Sequence, residues 1–278
     1  MPQGLYKEDP LTPYEREEYE SDLITFCDRK LDLLGDIEGL NVLYAGGASP
    51  LWLEGLAWRV GITGRLTALE FDPDRVARAK DVLGEANLPV PVSLIMGDVF
   101  EPPFEPQTFD LVYSTGLFHE LDVREETAGE ALAALAYCVR AGGRVATDDF
   151  IDSLGAVQLE DEEIQAEWMG EAFGRKLYGI GPPERLVALH EIVLDDVRWQ
   201  VSLPYPFRHL AKLVLAEDEP VEFLLLPAEM VERLRKRLRA LRERIEREGY
   251  SRPATLYVEG VVGRGLPLEN DRYRPVVD

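Results

Sequence analysis

Short apolar runs alternate with helix-patterned stretches through the first half of the chain, and this order predicts an α/β fold. Residues 14–36 place Tyr19, Leu23, Phe26, Cys27, Leu31 and Leu34 on helical spacing, with acids at the front and Gly35 near the end, which predicts an amphipathic helix. NVLYA at 41–45 is a buried-strand pattern; GGASP follows directly, with the apolar-rich LWLEGLAWRVG behind it. The unit of strand, tight turn and helix then repeats. RLTALEF reads as a second strand, and DPDRVARAKDVLGEANL as a helix opened by Asp72 as N-cap with Pro73 at the first helical position. VPVSLIMGD and FDLVYST read as further strands. VREETAGEALAALAYCVRAGG reads as a helix stopped by Gly142 and Gly143, and GRVATDDF as a fifth strand. Residues 150–181 carry an acidic run and a helix around Trp168 and Phe173, and PERLVALHEIV is another helix. DDVRWQVS and TLYVEGVVG supply sixth and seventh strands. Strands alternating with helices at this spacing imply a parallel sheet with right-handed crossovers, covered on both faces, with ligands bound at the carboxyl ends of the strands.

The composition narrows the class. The chain has 278 residues, 46% of them apolar, and 30 basic against 52 acidic side chains give a formal charge of −22. That is a globular chain, long enough for one α/β domain with insertions. So acidic a surface repels phosphate backbones and anionic lipids, which disfavours nucleic acid or a membrane surface as partner. MPQGLYKEDP lacks the apolar core of a secretory signal, and no uncharged run is long enough to span a bilayer, so cytoplasm is the expected location. Cys27 and Cys138 are too few for a disulfide framework, and no metal site is expected.

Candidate chemistry sits at the strand ends. Gly46 and Gly47 let backbone approach a ligand where a Cβ would clash. Twenty-four residues after Gly46 the second strand ends at Glu70, whose carboxylate can accept two hydrogen bonds from a vicinal diol such as a ribose. Phe71 can pack a purine face, and Asp98 in MGDVF can accept from an exocyclic amine. Together these describe a nucleoside-shaped pocket. A nicotinamide site fits poorly, since its glycine pattern would need glycines where Ala48 and Leu51 stand, and no lysine with Ser or Thr follows the turn as in a phosphate loop.

These residues resemble the class I S-adenosylmethionine-dependent methyltransferases. VLYAGGASP sits at the family's glycine-rich first motif, and LTALEFDPDRVARAK at its second. MGDVFEPPFEPQTFDLVYSTGLFHEL matches the adenine-binding acid and fourth strand, and LAYCVRAGGRVATDD the segment leading into the fifth. The resemblance implies a seven-stranded doubly wound sheet of order 3-2-1-4-5-7-6 with the last strand antiparallel, here with helical insertions. It implies S-adenosylmethionine as cofactor and S-adenosylhomocysteine as product, contacted by Ala45, Gly46, Gly47, Ala48, Glu70, Phe71, Asp98, Val99, Ser114 and Thr115. The expected organisation is a cap helix over 1–40, a cofactor-binding core over 41–150, and over 151–278 cover helices with strands six and seven and an insertion at 204–253. The first motif departs from the family: its acid is replaced by Tyr44, and two of its glycines by Ala48 and Pro50. The acid ordinarily helps organise the methionine end of the cofactor.

In-line methyl transfer to a small-molecule acceptor is the leading functional expectation, since the sulfonium already activates the methyl carbon and the protein supplies alignment and exclusion of water. His119 in STGLFHEL is a candidate general base, with simple loop packing as the alternative. His209 in PYPFRHL is a second candidate, set against a surface turn, and His190 reads as a structural histidine. The 229–248 segment carries eight basic and five acidic residues, with Met230, Leu234, Leu238, Leu241 and Ile245 on a narrow stripe. This helix or the insertion could pair two copies of the chain, or the helix could lie on its own domain. Two other functions stay open: a non-catalytic nucleoside-binding or regulatory protein on the same fold, and an aminopropyltransferase-like enzyme using the decarboxylated cofactor.

Overall fold

A computed structural model describes residues 9–121, 125–152, 155–174 and 181–263. The chain divides into two compact units. The larger contains residues 27–149, 182–201 and 256–278 and holds the sheet; the other contains residues 1–26, 150–181 and 202–255.

The sheet is built from β1 (Asn41–Ala45), β2 (Arg65–Glu70), β3 (Val92–Met96), β4 (Phe109–Thr115), β5 (Val139–Phe150), β6 (Asp195–Ser202) and β7 (Thr255–Val261), in the order β3-β2-β1-β4-β5-β7-β6. The first five run parallel, with Tyr44 beside Ala68 on one side and Tyr113 on the other. Strand β7 runs antiparallel, as contacts at its two ends show: Gly142 N in β5 donates to Val262 O at 2.8 Å, while Ile151 N, just past β5, donates to Ala254 O, just before β7, at 3.1 Å. The expected order is therefore the observed one.

Residue chemistry explains the helices. The central strands β1 and β4 are buried on both faces, which is why they are apolar runs and not alternating patterns. Helix α2 (Pro50–Val60) starts on a proline whose missing N–H costs nothing at that position and buries Leu53, Leu56, Ala57 and Val60. Helix α3 (Pro73–Glu85) opens as the sequence predicts, with the Asp72 carboxylate accepting from Asp74 N at 2.9 Å and Arg75 N at 3.4 Å. Cys27 and Leu31, from the last turns of α1 (Pro13–Leu31), join Val42, Tyr44, Leu56, Leu111 and Tyr113 in one core. The helix before β5 differs from expectation. Helix α4 (Glu125–Tyr137) stops at Tyr137, and Gly142 and Gly143 lie inside β5 instead of ending the helix. Register slips between Phe109↔Val139 and Leu111↔Arg144, a β-bulge, and the glycines serve it: Gly142 has φ +79°, and a Cβ on Gly143 would stand 2.7 Å from Asp110 O. The start of that predicted helix, at 123–124, lies outside the described residues.

Helix α6 (Pro183–Val193) belongs to the sheet unit. Its His190 is fully buried, with Nδ1 against Leu186 O at 2.8 Å and Nε2 against Thr147 Oγ1 at 3.1 Å. Burial pushes its pKa down to about 4, so it is a neutral structural histidine, as expected.

In the other unit, α5 (Ala156–Phe173) packs Val157, Ile164 and Trp168 against Val231, Leu234, Leu241 and Ile245 of α8 (Ala228–Glu248). The apolar stripe of α8 is therefore covered within its own unit. Helix α7 (Leu210–Ala216) and residues 205–207 bury Tyr19 with Phe207 and Leu210. Among the described residues no helix is long and apolar enough to cross a membrane.

Candidate active site

The carboxyl ends of β1 to β5 bring most of the expected residues together. Leu69 O accepts from both Gly46 N (2.9 Å) and Gly47 N (3.1 Å), which folds the turn after β1 back onto β2. Gly46 sits at φ +74°, and a Cβ there would stand 2.4 Å from Leu117 Cδ1. Gly46→Ala therefore combines left-handed strain with a clash, and a loss of about 2 kcal/mol or more in chemical denaturation is expected. Ala45 and Ala48 are buried behind the turn.

Glu70 ends β2 with its side chain 2% exposed. Its Oε1 accepts from Asp72 N at 3.0 Å, but Oε2 has no hydrogen-bond partner among the described residues and lies 3.9 Å from Arg75 Nη1. A buried acceptor without a donor is costly unless a ligand supplies one, and a vicinal diol would. The next residue, Phe71, is 70% exposed, an unusual setting for a phenyl ring that a flat ligand face would cover. After β3, Gly97 N donates to Glu70 O at 3.1 Å, tying the two strand ends together. Asp98 follows, exposed, with Oδ1 accepting from Phe100 N at 3.0 Å, and Val99 is buried behind it. An orphaned buried carboxylate oxygen, an open aromatic face, a second acid and a glycine turn fit the adenosyl part of S-adenosylmethionine.

At the end of β4, Ser114 Oγ donates to Thr147 Oγ1 at 3.3 Å, and Thr115 Oγ1 lies 2.5 Å from Tyr44 Oη. Tyr44 is buried against this threonine, and burial pushes its phenol pKa well up, so at the position of the family's acid the chain carries a neutral hydroxyl.

His119 lies just beyond, and the structure gives it a partner that sequence reading missed. Asp149, fully buried near the end of β5, places Oδ1 2.8 Å from His119 Nδ1, while its Oδ2 accepts from Phe118 N at 2.6 Å and His119 N at 3.3 Å. One carboxylate thus fixes both the loop and the ring. Burial pushes the imidazole's pKa down, but the hydrogen bond and charge of Asp149, with Glu120 nearby, outweigh it and leave the pKa above its ordinary value. The ring keeps 22% of its side-chain surface accessible. The available signal was the acid pair in TDDF at a strand end, which the apolar run before it obscured.

His209 belongs to the unit without the sheet. It precedes α7 at φ +62° with Nε2 2.8 Å from Glu18 Oε2, and the neighbouring Arg208 grips Asp22 through Nη2 at 2.8 Å. These contacts make it an anchor on the first half of α1.

Residues 42–143 match a family model described as a methyltransferase domain. No curated protein matches the chain. Among solved structures, the YcgJ protein of Bacillus subtilis has 14% identity and a TM-score of 0.57, covering 87% of this chain and 100% of its own. Phosphoethanolamine N-methyltransferase 2 of Haemonchus contortus, in complex with phosphomonomethylethanolamine and S-adenosylhomocysteine, has 13% identity and a TM-score of 0.57, covering 90% of this chain and 58% of its own. The [4+2]-cyclase SpnF, at 12% identity, covers 94% of this chain and 87% of its own with a TM-score of 0.52. At these identities the likeness is one of fold, and the cyclase shows that the fold alone does not dictate the reaction. The match over residues 42–143 and the sheet order give this chain a methyltransferase domain on a seven-stranded α/β sheet.

Proposed function

We propose that this chain is a class I S-adenosylmethionine-dependent methyltransferase that acts by in-line transfer on a small-molecule acceptor that gives up a proton. The observation that carries the reading is Glu70, a buried carboxylate with one oxygen already used and the other unsatisfied, beside the glycine turn. Glu70 would hold the ribose hydroxyls, Phe71 and Val99 the purine faces, Asp98 the exocyclic amine, and the Ala45–Ala48 turn with Ser114 and Thr115 the rest of the cofactor. When bound, the cofactor supplies a methyl carbon activated by the adjacent positive sulfur.

The chain's own work is alignment and proton handling. Asp149 orients His119 through Nδ1 and balances the charge the imidazole gains when it takes the acceptor's proton. The charge of −22 supports a neutral or cationic small acceptor over a polyanion.

The test is product identification with methyl-labelled S-adenosylmethionine and a panel of small amines, phenols and alcohols. Label on the acceptor with S-adenosylhomocysteine released is the expected result. Release of methylthioadenosine from the decarboxylated cofactor would instead identify an aminopropyltransferase.

A further inference from the structure

A polar row is sunk into the core on one face of the sheet, where apolar side chains would pack better. Parallel pairing sets Tyr44 beside Tyr113, and one step nearer the strand ends Thr115 beside Asp148; partners in parallel strands point to the same face. Lys30, in the last turn of α1, reaches the same row with Nζ 3.2 Å from Asp148 Oδ2, the two side chains being only 6% and 5% exposed. Tyr113 is fully buried, and its hydroxyl has no hydrogen-bond partner among the described residues. Around them lie Cys27, Leu31, Leu53 and Ala57. Stability alone favours Phe at 113 and an apolar pair at 30 and 148, because a buried ion pair rarely recovers its desolvation and an orphaned hydroxyl forfeits its hydrogen bonds to water.

We propose that Lys30, Asp148 and Tyr113 form the receptor for the amino-acid end of the cofactor, with Asp148 taking its ammonium, Lys30 its carboxylate, and the Tyr113 hydroxyl the remaining hydrogen bond. The proposal rests on the cofactor reading above. A zwitterion carries both charges on one carbon, and the side chains complementary to it are an acid and a base set side by side. Exchanging one internal ion pair for two pairs with the ligand leaves every buried charge compensated. The neutral Tyr44 cannot supply the negative charge, and Asp148, two strands away on the same face, can. Thr115, Gly46 and Gly47, at the ends of the same strands, are only partly buried.

Calorimetry with two ligands tests this: S-adenosylhomocysteine, and methylthioadenosine, which keeps the nucleoside and sulfur but lacks the amino acid. Asp148→Asn and Lys30→Met are each expected to weaken S-adenosylhomocysteine about tenfold or more while changing methylthioadenosine less than about twofold. Tyr113→Phe removes only a hydroxyl without an internal partner, so its fold is retained, and it is expected to weaken S-adenosylhomocysteine about threefold with methylthioadenosine unchanged. Equal losses on both ligands, or no loss on S-adenosylhomocysteine in Tyr113→Phe and Asp148→Asn, would overturn the receptor. If the wild-type protein binds both ligands but the variants do not discriminate, the receptor alone fails. If the wild-type protein binds neither, the cofactor reading fails with it.

Discussion

Glu70→Ala abolishes S-adenosylhomocysteine binding in calorimetry, weakening it by about a hundredfold or more. A hydrogen bond to a charged group is worth about 1.5–3 kcal/mol, and the diol reading gives the carboxylate two of them, so a hundredfold is the lower end of the range. Glu70 Oε1 also holds Asp72 N, and Asp72 caps α3, so the alanine loosens that helix start as well. Glu70→Gln separates the two effects: its amide oxygen still accepts from Asp72 N, but the charge is gone, and an intermediate loss is expected with an unchanged thermal midpoint. Undiminished binding in Glu70→Ala would show that the ribose lies elsewhere.

The second large effect concerns the His119–Asp149 pair. The imidazole must be neutral to take a proton, and its folded pKa stands above the ordinary value. In the wild-type protein kcat/KM therefore rises with pH through that raised pKa and levels off above it. His119→Gln removes this limb and lowers kcat by about two to four orders of magnitude, the usual range for a general base, with S-adenosylhomocysteine affinity unchanged. Asp149→Asn keeps the acceptor oxygen for the backbone amides of Phe118 and His119 but loses the charge, so the imidazole titrates at lower pH, as NMR of the ring protons would record without any acceptor. An Asp149→Asn imidazole titrating as in the wild type would remove Asp149 from its role. Stability follows the same linkage. Because the folded pKa is raised, the pair's contribution is fully present below the unfolded pKa and is lost as pH rises through the folded one. The pH at which the base becomes competent is thus the pH at which its loop is held less tightly.

Much of the site was legible because each signal was local. Glu70 closes an apolar run, Gly46 follows one at once, and Asp72–Pro73 is a helix start whichever way the chain then packs. Asp149 and Asp148 were not legible as chemistry, because their meaning depends on partners 30 residues or more away: His119 for one, Lys30 for the other. Gly142 and Gly143 misled for the opposite reason. A glycine pair after an amphipathic stretch is a good helix stop, but the strand opposite had to be slipped past a bulge, a demand that register makes and sequence does not display.

Sequence by itself determined a parallel α/β sheet, through the alternation of strands with crossover helices, while the strand order came from the resemblance to a known family, and residues at strand ends carried the expectation of an adenosyl site. Only the tertiary structure decided that His119 has Asp149 behind it, that the α8 stripe is covered by α5, and that Lys30 pairs with Asp148 on the sheet face that carries Tyr113. The division has a physical cause. Backbone pattern and burial are set within a few residues of sequence, whereas the charge state and orientation of a polar group are set by whatever distant side chain the fold brings within about 3 Å of it.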